Sequence, residues 1–119
     1  MTPEAFRLET GTTAEGVVVS LFGELDLATV GQLQDELDRL AAPRRRDELV
    51  IDLRELEFLD STGLRLLLQL HSDCLGRGCS LGLVPGGRAI QKLFAVTGTD
   101  THFVFVAPPD GEVPRAASG

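Results

Sequence analysis

The sequence predicts a single α/β domain with a mostly parallel sheet, and three observations carry that expectation. Short segments rich in Val, Leu, Ile and Phe alternate with longer stretches whose apolar residues recur at helical spacing. Two strand-like segments precede the first of those stretches, so the sheet should open with an antiparallel hairpin. Gly and Pro fall between segments as punctuation. Helices alternating with strands require parallel crossovers. The expected order is β-β-α-β-α-β-α-β within residues 1–107, followed by a flexible tail over residues 108–119.

Taken in order, residues 5–9 and 17–22 are strand candidates, joined by the turn-rich segment GTTAEG at 11–16. From Asp26, read as an N-cap, apolar residues recur at Leu27, Val30, Leu33, Leu37 and Leu40 with acids and glutamines between, and Pro43 limits this amphipathic helix. Residues 49–53 (LVIDL) form a short strand, and a connecting loop leads to a helix that opens at Ser61 and should end near Gly76. Residues 79–84 read as a strand bounded by Gly78 and Pro85. Ile90, Leu93 and Phe94 give a third helix stopped by Gly98, and residues 101–107 (THFVFVA) a last strand. The tail carries three prolines and offers little to bury, so its removal should lower stability little.

A chain of 119 residues is large enough for one core without disulfide or metal staples. Its net charge of −7 repels nucleic acid and anionic membrane, and with no Trp or Tyr it has few aromatic platforms for bases. A protein partner fits better. Arg44, Arg45 and Arg46 follow the first helix and complement its dipole as a solvated loop. Cys74 and Cys79 have no companions at metal-ligand spacing, so both read as small buried apolar residues, and no cofactor or metal is expected. No leader pattern and no long apolar run is present, which points to the cytoplasm.

The segment most informative about function is FLDSTGLRLLLQLH, from Phe58 to His71. Asp60, Ser61, Thr62 and Gly63 form the N-terminal edge of a leucine-rich helix, where unpaired backbone N–H groups and the positive dipole end favour a phosphate. Serine beside aspartate there is most often only a cap. In a parallel sheet, however, the loops leaving the C-terminal strand ends gather on one rim, and here they are GELD (residues 23–26), DSTG (60–63) and PGG (85–87).

These residues resemble the STAS domain family, specifically the bacterial anti-sigma factor antagonists. GELD, VIDLRELEFLDSTGLRLLL and KLFAVTG carry the likeness, over roughly residues 6–106. The resemblance implies a non-enzymatic switch. Ser61 would be phosphorylated by a partner that is both anti-sigma factor and GHKL-type serine kinase. The unphosphorylated protein would bind that kinase and free its sigma factor, and a PP2C-type serine phosphatase would restore the bound form. The alternative is a non-switching STAS docking subunit of a transport complex or stress-signalling assembly. Family members commonly end in another helix, which the prolines of residues 108–119 disfavour here.

Around Ser61, Asp26 and Asp60 either cap and hydrogen-bond locally or position the hydroxyl for phosphorylation. Thr62 is a lesser phosphosite or a helix-capping hydroxyl. Gly63 permits close approach by a partner or is simply tolerated in the first turn. Arg65 lies four residues on, where it faces a phosphate or solvent. Leu66 and Leu70 make a second apolar row, either widening the burial or forming an exposed patch beside the phosphosite. His71 and His102 are read as structural. A serine hydrolase is disfavoured by the lack of a G-x-S-x-G elbow or a His serving Ser61. A phospho-aspartate receiver would have only Asp52 as acceptor and lacks the acidic pair of its first strand.

Overall fold

Valine and leucine at every second position put one row of each strand against the helices, and the resulting register explains the core. A computed structural model describes residues 6–40 and 48–109. Among these the strands are β1 (Arg7–Thr12), β2 (Gly16–Leu25), β3 (Glu48–Asp52), β4 (Leu56–Leu59), β5 (Ser80–Val84) and β6 (Val104–Phe105). The helices are α1 (Val30–Arg39), α2 (Ser61–Arg77) and α3 (Arg88–Thr97), with a 3-10 turn at Thr99–Thr101. The sheet order is β1-β2-β3-β5-β6, with β1 antiparallel to β2 and the other pairings parallel. Across β2, β3 and β5, Val19, Ile51 and Leu83 stand in register, and all three are fully buried with Leu33, Leu67 and Phe94 from the three helices. Val18 and Val50 point the other way and join Val84 in a second cluster with Val106.

The predicted fold class and element alternation hold, with differences that have local causes. The hairpin turn is tighter than GTTAEG implied. Thr13 donates its N–H to the Gly16 carbonyl (2.9 Å), while its hydroxyl accepts from the N–H groups of Glu15 and Gly16, so β1 extends through Thr12. Helix α1 starts at Val30 with Thr29 in the N-cap position, not at Asp26. The last strand is only Val104–Phe105, because Thr101 and His102 bond back to Gly98 and Thr99 and curl the chain, while Phe103 packs edge-on against Phe94 at 5.4 Å. Arg44, Arg45 and Arg46 lie outside the described residues, as do residues 110–119 of the predicted tail.

Strand β4 was expected to be loop. Strand β2 is ten residues long, and β3 pairs only with its first half, from Gly16 to Ser20. Beyond a jog at residues 53–55, β4 takes up the second half, with Glu24 beside Phe58 and Leu25 beside Leu59. The register shifts between Gly23 and Glu24, and Gly23 has a φ of 88°, a left-handed conformation that glycine adopts without strain. The jog is closed by Asp52, whose buried carboxylate receives the Arg54 backbone N–H at 3.0 Å and its guanidinium Nη2 at 2.7 Å. The consequence for function is positional: β4 carries the chain to the C-terminal end of β2 and delivers α2 there.

Helix α2 runs past Gly76 to Arg77 and is closed by Gly78, left-handed at φ 78°. Among the described residues, the buried His71 Nδ1 of this helix has no hydrogen-bond partner, and the ring lies edge-on to Phe103 at 5.9 Å. Replacing the ring by a similar apolar group removes the unpaired atom. His71→Leu should therefore raise the denaturant midpoint, by roughly 1 kcal/mol of stability, with an unchanged m-value.

Candidate functional site

The first turn of α2 is built by Asp60. Its backbone is extended (φ −105°, ψ −175°) and its Oδ1 accepts the Gly63 N–H at 3.0 Å, the arrangement of a side-chain N-cap. Its own N–H donates to the Leu25 carbonyl at 3.3 Å, tying the start of α2 to the end of β2. Gly63 is buried against the same point: a Cβ there would lie 2.8 Å from the Leu25 oxygen and 2.6 Å from Leu59 Cδ1. The close approach that this glycine permits is thus made within the chain. Asp60→Ala should remove the cap and lower stability by about 1 kcal/mol, read as a shift of the urea midpoint.

Ser61 is the first residue of the helix, with an exposed side chain and no hydrogen bond among the described residues. Thr62 is half-buried beside it, and Arg65, one turn on, is exposed. A phosphate on Ser61 Oγ would therefore find helix N–H groups at its base and Arg65 on the same helix face, without displacing a packed group.

Asp26 follows Leu25 directly, so the Leu25–Asp60 bond brings the GELD loop beside DSTG, as the rim argument expected. Its carboxylate accepts the Ala28 N–H at 3.0 Å. Thr29 closes the same turn, its hydroxyl donating to the Glu24 carbonyl at 2.7 Å and accepting the Asp26 N–H at 3.0 Å. Asp26 thus shapes the loop three residues ahead of the N-cap Thr29 instead of capping the helix. The PGG turn joins the end of β5 to α3: a Cβ at Gly86 would lie 2.9 Å from the Leu53 oxygen, and the Gly86 N–H donates to Gln91 Oε1 at 2.8 Å.

Two apolar grooves adjoin the serine through its chain neighbours. One runs between α1 and α2, with Val30, Gly31 and Gln34 facing Thr62, Arg65 and Leu66. The other lies between Phe58 and Leu59 of β4 and the α3 residues Ala89, Lys92, Leu93 and Val96. Leu66 is therefore a groove wall, whereas Leu70 is 7% exposed and belongs to the core. Exposed large apolar side chains stand nearby, Leu27 at 76% and Phe58 at 47%. The sequence reading missed both, having placed Leu27 on the buried stripe of α1 and Phe58 in a loop. Their exposure follows from where α1 begins and from the unexpected β4. Among the described residues no cluster of His, Cys, Asp and Glu has the form of a metal site, and no helix is long and apolar enough to cross a membrane.

The family profile described as "Mlab, STAS domain" matches residues 8–107. The chain belongs to the STAS family. This STAS domain is 34% identical over 86 residues to anti-sigma-F factor antagonist RsfB of Mycobacterium tuberculosis, covering 72% of this chain and 69% of that protein. It is 29% identical over 92 residues to the anti-sigma-B factor antagonist of Staphylococcus aureus, covering 77% and 84% of the two chains. The crystal structure of an anti-sigma factor antagonist from Mycobacterium paratuberculosis superposes with a TM-score of 0.76 at 31% identity, over 92% of this chain and 91% of the other. The anti-sigma factor antagonist SpoIIAA in its unphosphorylated form does so with a TM-score of 0.68 at 25% identity, over 89% and 90%.

Proposed function

We propose that this STAS domain is an anti-sigma factor antagonist switched by phosphorylation of Ser61. Unphosphorylated, it binds an anti-sigma factor with GHKL-type serine kinase activity in the cytoplasm and so frees the sigma factor. The kinase transfers the γ-phosphoryl group of its ATP to Ser61 Oγ. The serine proton passes to a base on the kinase and ADP leaves. The phosphorylated protein is released, and a PP2C-type phosphatase hydrolyses the phosphate and returns the hydroxyl. In this scheme the chain contributes the acceptor hydroxyl and the docking surface, while the catalytic groups belong to its partners.

The observation that carries the reading is the placement of Ser61: an exposed hydroxyl, without a hydrogen bond among the described residues, at a capped helix start, with apolar grooves lined by its near neighbours in the chain. A hydroxyl serving only as a cap would be turned onto backbone N–H groups, and at this helix Asp60 already does that. The apolar side chains around the serine supply the area a partner would bury. The names of the relatives, anti-sigma factor antagonists in two organisms, agree with that partner class.

The test is phosphorylation by the purified cognate anti-sigma factor with ATP, followed by mapping of the modified residue. One phosphate on Ser61 is expected, with none on Ser61→Ala. Transfer to Ser61→Ala as readily as to wild type would overturn the assignment. Asp26→Asn should slow transfer more than it weakens binding if the loop it shapes positions the hydroxyl.

A further inference from the structure

Helix α2 closes on a pair of cysteines at its C-terminal end. Its C-terminus closes with the Cys79 N–H donating to the Cys74 carbonyl at 3.0 Å across the left-handed Gly78. That six-to-one bond places residues 74 and 79 at the two positions of this cap whose side chains pack together. Both happen to be cysteines, both are free, and they are 5% and 6% exposed. The Cys79 Sγ also lies 3.6 Å from the Cys74 carbonyl oxygen.

We propose that Cys74 and Cys79 are a redox modification site, a dithiol that a hydroperoxide converts into an intramolecular disulfide across the C-cap of α2. The chemistry runs in two steps. The sulfur of Cys79 attacks the peroxide oxygen, the O–O bond breaks, and the products are a Cys79 sulfenic acid and an alcohol, or water when the oxidant is hydrogen peroxide. The sulfur of Cys74 then attacks the Cys79 sulfur, the S–O bond breaks, and the hydroxyl leaves with the Cys74 proton as water. Two electrons pass from the thiols to the peroxide, and a dithiol reductant reverses the change.

The same geometry sets the rate. Burial, the hydrogen bond that its S–H donates to Cys79, and the charge Cys79 would carry beside it push the Cys74 thiol up to about 12, so its thiolate is scarce at neutral pH. The pair should therefore oxidise slowly while the cap is closed and faster when it frays. Gly78 is the hinge of that fraying. A Cβ at its φ of 78° is strained, and Gly78→Ala should open the cap roughly tenfold more often and speed oxidation by a similar factor.

The experiment treats the purified full chain with a small excess of hydrogen peroxide at neutral pH, then denatures, alkylates and weighs it. The proposal expects a monomer lighter by the two thiol hydrogens, with no alkylatable thiol, restored by dithiothreitol. Cys74→Ser should stop at a sulfenic acid on Cys79 that dimedone traps, and Gly78→Ala should oxidise several-fold faster than wild type. Two intact thiols in both wild type and Gly78→Ala after prolonged exposure would overturn the proposal, as would oxygen addition without loss of the thiol hydrogens, or disulfides formed only between chains.

Discussion

Ser61→Glu should weaken binding to the cognate anti-sigma factor by roughly a hundredfold while leaving the melting midpoint near that of wild type, because about 3 kcal/mol lost at an interface has that effect. The two halves of the expectation have separate causes. Within the chain, the added carboxylate stands at a helix N-terminus where the dipole favours it, and Ser61 is exposed, so nothing packed is displaced. At the interface the same charge must be desolvated or repelled. Phosphoserine, with roughly −1.5 to −2 charges, should exceed the glutamate effect. Ser61→Ala should bind persistently. A fall in melting temperature matching the loss of binding would move the effect from the interface to the fold, and isothermal titration alongside calorimetry separates the two.

Gly63→Ala and Gly76→Ala make the same substitution in the same helix and should have opposite signs. At Gly76 an added Cβ meets none of the described residues within 4 Å, so the better helix propensity of alanine should stabilise by up to about 1 kcal/mol. At Gly63 that gain is outweighed. The added Cβ would sit 2.8 Å from the Leu25 carbonyl oxygen, a backbone atom in β2, and 2.6 Å from Leu59 Cδ1. The leucine methyl can turn aside, but the carbonyl is held in the sheet, so overpacking of about 1–3 kcal/mol should exceed the propensity gain. Relieving the clash lifts α2 from the end of β2 and lengthens the Asp60–Leu25 bond, so Gly63→Ala should also slow phosphorylation of Ser61. Equal melting midpoints for the two variants would show that the close approach at Gly63 does not matter.

Helix α2 was legible in the sequence because its boundaries are local. Asp60 caps it with its own carboxylate, Gly78 ends it through a conformation glycine prefers, and the leucines between keep helical spacing. The buried strand register was legible for a similar reason, since alternate positions of β2 face opposite sides of the sheet. What escaped was set at long range. Strand β4 exists because β2 outlasts β3, and no four-residue window reports the length of a distant partner. Helix α1 starts late because Thr29 and Asp26 close a turn through Glu24, a preference that competes with helix in just these residue types. The helix start at Asp60 and Ser61 could therefore be placed from pattern. The apolar surroundings, Leu27 and Phe58 with the α3 groove, could not, because exposure depends on which elements meet.

The most direct measurement is a titration of the cognate anti-sigma factor with this protein before and after phosphorylation to one phosphate per chain, with Ser61→Ala carried through the same treatment. Wild type should bind before treatment, lose roughly a hundredfold in affinity after it, and recover when a PP2C-type phosphatase removes the phosphate, while Ser61→Ala binds equally well throughout. Undiminished binding by the singly phosphorylated protein would contradict the switch, and so would an equal loss in Ser61→Ala.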